Sequence, residues 1–247
     1  MCDGEATIFE INENEMVWLF SMLLWLATCL SPDKSASMKV IYVYDALCGW
    51  CYGFSPVIQQ LYEAHGDEYE FEVISGGMIT GERIGPIGEV APYIKQAYKE
   101  VEQRTGIVFG DAFLENVLEE GSTVFSSIPP SIALAVFKKQ RPGEAVRFAS
   151  RLQKAIYYEG MPPEDWAAYG ELATEFGLDG TAFVEAMRSE KGIALAEADF
   201  QRAQAFGVAG FPTVIVQNGE DYYLIARGYV DYKTLNNSLR SLTTTHK

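Results

Sequence analysis

Two cysteines three residues apart, Cys48 and Cys51, enclose Gly49-Trp50. They follow closely on the apolar run Val40-Ile41-Tyr42-Val43-Tyr44 and open a helical pattern. Two thiols at this spacing can close a small disulfide ring. The first stands where a helix start leaves backbone N–H groups unpaired and where the helix dipole favours negative charge, so a thiolate of lowered pKa is expected there. A thiolate is the species that attacks a disulfide sulfur. The pair therefore points to thiol–disulfide exchange. Cys48, partly exposed, is the candidate nucleophile. Cys51, one turn on and more buried, is the candidate resolving thiol.

The competing readings are a structural disulfide and half of a metal site. A zinc site wants four ligands, typically a second Cys pair or two His. Beyond residue 37 the chain has no further Cys and only His65 and His246. His65 lies about 14 residues along the same helix from Cys51, roughly 20 Å at 1.5 Å per residue. That is too far to ligate with the dithiol or to act as its base, so no metal is expected. Gly49 and Trp50 carry no charge, and a thiolate between them relies on the helix dipole and backbone donors. Trp50 reads equally as surface cover and as a substrate contact. Asp45, three residues before Cys48, has two readings. Buried, its raised pKa would let it relay a proton to or from Cys51; otherwise it is a turn or cap residue at the strand end. Tyr52, Phe54 and Met78 are candidate groove residues, with core packing the better reading for Phe54.

The elements that must position these groups follow from periodicity. Val40–Tyr44 has the pattern of a central buried strand. Phe54, Val57, Ile58 and Leu61 mark one helix face, with Pro56 inside it expected to kink or restart the helix and Gly66 ending it. Glu70–Ser75 reads as a second strand, completing a β-α-β unit. Gly76-Gly77 breaks the pattern. Seven helices are then expected, at Val90–Arg104, Asp111–Glu119, Ser131–Gln140, Glu144–Tyr158, Glu164–Phe176, Thr181–Ser189 and Ala194–Ala205, with Asp111 and Thr181 as N-caps and no intervening strand. Thr213–Gln217, an Asn218-Gly219 hairpin turn and Tyr222–Ala226 return the chain to a sheet, and Tyr232–Leu242 is a last helix.

The chain has 247 residues, 48% of them hydrophobic, which suffices for one or two domains with a sizeable core. A net charge of −15 argues against nucleic acid or an anionic membrane as partner. The four cysteines, Cys2, Cys29, Cys48 and Cys51, form no disulfide framework. Residues 1–37 differ from the rest. Met1–Glu15 is acidic, Val17–Leu30 is apolar but short for a membrane span, and Ser31–Ser37 is small and polar. Three readings stand: an extension upstream of a natural start at Met38, a signal or lipid-anchor segment from near Met16, or a structured part of the fold. Leu26-Ala27-Thr28-Cys29 resembles a lipoprotein cleavage box, with Thr a poor fit before the Cys, and Cys29 reads better as incidental. A start at Met38 implies the cytoplasm; a signal over residues 16–37 implies the cell envelope or periplasm. No integral membrane span is expected, and the oligomeric state is open.

The order of elements, with Cys-x-x-Cys after the first strand and a long helical insertion, resembles the DsbA-like thioredoxin-fold family. Gly207-Val208-Ala209-Gly210-Phe211-Pro212-Thr213 before the third strand fits its second signature. Tyr44 to Gly53 looks like the FrnE-like branch, which is mostly cytoplasmic and lacks dedicated transmembrane partners. The resemblance implies an α/β thioredoxin fold, with 38–79 and 207–247 as the thioredoxin domain, 80–206 as the all-helical insertion and 1–37 as the extension or signal-like segment. It implies a cis Pro212 facing the dithiol, against an ordinary trans Pro that opens an edge strand. The Phe211 backbone would pair with an extended substrate peptide. It implies protein or low-molecular-weight thiols and disulfides as partners, with glutathione a possible co-substrate and no resident cofactor. Without a His between the cysteines, the pair should be less oxidising than the roughly −120 mV of DsbA. Two other classes share the fold. Glutathione-dependent isomerases and transferases, resembling the kappa-class and hydroxychromene carboxylate isomerase types, typically carry Ser at the first active position. A non-catalytic binding module would have no purpose for an intact dithiol.

Overall fold

The structure, a computed structural model, describes residues 38–244. The readings of residues 1–37, Cys29 among them, concern positions outside the described residues.

Strand β1 (Lys39–Tyr44), helix α1 (Gly49–His65) and strand β2 (Glu70–Ser75) form the β-α-β unit expected from the sequence. The insertion holds α2 (Ala91–Thr105), a helical segment Asp111–Phe113 that continues as a π-helix over Leu114–Glu119, α3 (Ile128–Gln140), α4 (Ala145–Tyr157), α5 (Trp166–Glu175) and α6 (Gly180–Arg188). Helix α7 spans Glu190–Ala205. Two two-residue strands, Gly85–Pro86 and Val124–Phe125, pair antiparallel inside this region, where no strand was expected. They are too short to carry an alternating pattern. The chain closes with Thr213–Asn218, Asp221–Arg227 and a last helix, Tyr232–Thr244. Counting the two short strands as β3 and β4 makes the closing hairpin β5 and β6. The main sheet runs β2-β1-β5-β6, with β1 parallel to β2 and antiparallel to β5.

Period-two alternation along β1 divides the core. Val40, Tyr42 and Tyr44 join Phe54, Ile58 and Leu61 of α1 in the larger cluster. Ile41 and Val43 face the other way, to Ile74, Ile215 and Ala203 of α7. Helix α7, which the boundaries 80–206 count with the insertion, therefore covers the second face of the sheet. Within the insertion the rings of Phe137 and Phe148 stack at 3.9 Å, and Phe176 sets its edge against both.

Local chemistry explains where the helix bounds differ from the expected ones. Helix α3 starts at Ile128 because Pro129 and Pro130 fall in its first turn, where a missing N–H costs nothing. Helix α7 starts at Glu190 because Ser189 Oγ accepts from Gly192 N at 3.0 Å. Asp179, not Thr181, caps α6, and Asp165 caps α5. Gly110, with no side-chain cap, stands before Asp111. Helix α1 runs through Pro56 without restarting. The Tyr52 carbonyl that Pro56 leaves without a partner accepts from Ser55 Oγ at 2.8 Å.

Strand β2 is a sheet edge, and a buried ion pair closes it. Lys138 Nζ of α3 donates to Asp199 Oδ2 of α7 at 2.6 Å and to Val73 O at 2.7 Å, and Asp199 Oδ2 accepts from Ser75 N at 3.3 Å. Burial pushes the Asp199 carboxyl up, and the Lys138 charge pulls it back. Removing one partner leaves the other charge buried and alone. Lys138→Met should therefore cost about 3 kcal/mol in urea unfolding. An unchanged unfolding midpoint would show that the pair does not hold the edge.

Candidate active site

The turn 45–47 carries the chain from β1 into α1. Cys48 is the residue before the helix, extended at φ −93° and ψ 112°. Its N–H donates to Asp45 O at 3.1 Å. Cys48 and Cys51 are both free thiols. Cys51 is fully buried, and Cys48 is only 7% exposed, less than its place at a helix start suggests. The cover comes from a distant segment. The Phe211–Pro212 peptide bond is cis, and the Cys48 Sγ–H donates to Phe211 O at 3.8 Å. That loop is seated by Gly76, where a methyl group would collide with the Phe211 ring. The Gly76-Gly77 break after β2 is thus a packing requirement of the site.

Asp45 is fully buried and engaged by three donors. Its Oδ1 accepts from Leu47 N at 2.9 Å and Ser127 Oγ at 2.8 Å, and its Oδ2 accepts from Met78 N at 2.7 Å. Its backbone carbonyl also accepts from Gln153 Nε2 at 3.3 Å. These bonds make Asp45 a turn residue that fastens α3, α4 and the segment after β2 to the dithiol loop. Burial still pushes its carboxyl up, opposed by the bonds from Met78, Leu47 and Ser127. Burial also pushes the Cys51 thiol well above its usual range, and Cys48 adds to this as a hydrogen-bond partner and a charge; backbone hydrogen bonding from Asp45 works the other way.

A cavity of 270 Å³ opens beside the first cysteine, lined among others by Cys48, Gly49, Trp50, Met78, Ala97 and Phe109. None of the residues lining it is charged. Trp50 is half-buried there, its ring 6.4 Å from that of Tyr229 and 5.1 Å from the Arg104 guanidinium. Tyr52 does not line this cavity. Its ring stacks on Tyr157 at 5.2 Å and its hydroxyl donates to Val108 O at 3.0 Å, so packing claims it; burial raises its pKa to about 12. Phe54 is core, against Tyr42 and Tyr229. His65 sits at the far end of α1, 2.7 Å from Asn236 Oδ1. Among the described residues, no group of three or more His, Cys, Asp or Glu could hold a metal ion.

Three participants were not singled out from the sequence: Ser127, Gln153 and Arg104. They lie in the insertion and carry no local signal.

The buried carboxyl yields a pH test. Its native pKa stands above the unfolded value, so its contribution to the fold is fully present below the unfolded carboxylate pKa. That contribution is lost as pH rises through the raised native value. Urea unfolding across that range should show this decline in the wild type and a flatter profile in Asp45→Asn. The variant should also be about 1–3 kcal/mol less stable at its best, because an amide N–H₂ would face donors. Identical pH slopes would rule out a titrating Asp45.

The DSBA-like thioredoxin domain family matches residues 39–240. A structure of a candidate protein disulfide isomerase from Nitrosomonas europaea is 26% identical, with a TM-score of 0.76, covering 85% of this chain and 100% of that one. The cytosolic disulfide reductase DsbM from Pseudomonas aeruginosa is 28% identical, with a TM-score of 0.68, covering 84% of this chain and 98% of that one. Its complex with glutathione aligns at a TM-score of 0.69. The ClpXP adapter protein SpxH of Halalkalibacterium halodurans is 23% identical over 198 residues, which are 75% of this chain and 61% of that protein. Matched over most of its length, and with a helical insertion between its β-α-β and β-β-α halves, the chain belongs to the DSBA-like thioredoxin domain family.

Proposed function

We propose that this chain is a thiol–disulfide oxidoreductase in which Cys48 attacks and Cys51 resolves. The observation that carries this reading is the meeting of three groups from distant segments. Two free thiols lie at the start of α1, and the first reaches the carbonyl of the residue before a cis-proline. Cys48 as thiolate attacks one sulfur of a substrate disulfide RS–SR′. A Cys48–SR mixed disulfide forms, and R′S⁻ leaves and takes up a proton. Cys51 loses its proton and attacks Cys48 Sγ, so the Cys48–Cys51 disulfide forms and RS⁻ leaves as RSH. The substrate gains two electrons and two protons, and the dithiol loses them. Run backwards, the same steps donate a disulfide.

The uncharged cavity beside Cys48 accepts an apolar part of the substrate, and the Phe211 backbone pairs with the rest in strand fashion. Glutathione as co-substrate is supported by the glutathione complex of the DsbM relative. Placement in the FrnE-like branch is carried by the stretch Tyr44 to Gly53. Among the described residues no helix is long and apolar enough to cross a membrane. The cytosolic location of the DsbM relative supports the cytoplasmic reading for a start at Met38.

The test is a glutathione redox titration of the full chain, read by alkylation at Cys48 and Cys51. A reversible two-electron equilibrium between about −120 and −270 mV is expected; no transition would refute the proposal. Cys48→Ser should reduce insulin disulfides no faster than buffer, and Cys51→Ser should accumulate the mixed disulfide. Ala97→Phe, which fills the cavity, should raise KM roughly tenfold for disulfides bearing an aromatic group. Equal KM values would remove the cavity from the substrate site.

A further inference from the structure

The cavity beside Cys48 suits an uncharged part of a substrate and nothing ionised. None of its lining residues carries a charge, and a carboxylate inside it would lose water without gaining a partner. The protein as a whole, at a net charge of −15, also repels anions at long range. A substrate with carboxylates close to its disulfide therefore needs a cation at the rim of this cavity. Arg104 is placed there. It stands in the last turn of α2, and its guanidinium lies 5.1 Å from the centre of the Trp50 ring. Trp50 lies between the two cysteines in the chain and lines the cavity together with Cys48. The cation is thus held against a residue that borders the space next to the first thiol.

Three features make Arg104 fit to receive a carboxylate. A guanidinium over an aromatic face is held by the ring without spending an N–H donor on it. Tyr229, at 6.4 Å, contacts the same indole ring, so Trp50 and the cation on it have a defined place. The acid nearest in helical spacing holds Arg104 only lightly. Glu100, one turn back, is 3.6 Å away, and the two side chains are 59% and 55% exposed. An exposed pair of this kind is weak and yields to a better-placed carboxylate. Glu102 is engaged elsewhere, its Oε1 accepting from Phe109 N at 2.9 Å. Arg83, by contrast, spends Nη2 on its own loop, donating to Gly77 O at 3.3 Å.

We propose that Arg104, stacked on Trp50, is a specificity residue that receives a carboxylate of the substrate while the disulfide faces Cys48. It thereby selects low-molecular-weight disulfides that carry carboxylates, the class of glutathione disulfide. This rests on the reading of Cys48 and Cys51 as the exchanging pair. The carboxylate keeps its charge throughout the exchange, so Arg104 binds ground state and transition state alike. Its loss weakens binding and leaves the limiting rate unchanged.

The test follows oxidation of the pre-reduced full chain by two disulfides, glutathione disulfide and the uncharged 2-hydroxyethyl disulfide, over a range of concentrations. Arg104→Gln should raise the half-saturating concentration of glutathione disulfide about three- to tenfold at an unchanged limiting rate. For 2-hydroxyethyl disulfide it should stay within about twofold of wild type. Arg188→Gln removes the same charge and the same kind of contact, a guanidinium 5.7 Å from the Trp166 ring, outside the cavity lining, and should change neither. Arg104→Lys keeps the charge without the planar fork and should fall between wild type and Arg104→Gln. If Arg104→Gln does not fold, Arg104→Lys decides by the same comparison. Half-saturation by glutathione disulfide equal to wild type would overturn the inference and leave the dithiol reading intact. An equal loss towards both disulfides, or an equal effect from Arg188→Gln, would overturn it too, tracing the change to a general disturbance or to net charge. A wild type that neither disulfide oxidises would overturn both readings.

Discussion

One buried carboxylate holds the active end of this molecule together. Asp45 stands at the turn where the central strand becomes the dithiol helix. Its two oxygens take donors from its own turn, from the segment after β2 and from the start of α3. Its carbonyl adds the Cys48 N–H and the Gln153 side chain. Helical insertion and sheet meet at this point. A carboxylate out of water is tolerable only when it is fully hydrogen-bonded, so the surrounding segments have little freedom to sit elsewhere.

The same logic of mutual requirement runs through the cis-proline loop. Phe211 can lie against the end of β2 only because Gly76 has no side chain. Pro212 then delivers the Phe211 carbonyl to the Cys48 thiol. The first cysteine gains a cover that its helix alone does not supply, and the second is sealed beneath it. Burial sets the character of the pair. The outer thiol meets a cavity without charge, and burial pushes the pKa of the inner one well up.

Helical and strand periodicity carried most of the architecture in the sequence. The continuous apolar run Val40–Tyr44 and the Asn218-Gly219 turn marked the sheet, and the helices of the insertion stood out by their spacing. What escaped was short or depended on contact. Gly85–Pro86 and Val124–Phe125 pair across nearly 40 residues with two residues each, too few for a pattern. Asp165 and Asp179 cap helices whose first residues were read slightly out of register. The role of α7 as the cover of the second sheet face cannot be read from its own amphipathic pattern, because any packed helix shows one.

The sequence by itself determined the chemistry on offer and the order of the elements, because a Cys-x-x-Cys at a strand-to-helix junction and the periodicity around it are local properties. Tertiary structure decided which distant groups serve that chemistry. Ser127, Gln153, Phe211 and Gly76 come within reach of the dithiol loop only when sheet and insertion close on each other. Hydrogen bonds and van der Waals contacts act over a few ångströms of space, whatever the distance along the chain. For the same reason burial made Asp45 a clamp and took Tyr52 into the packing.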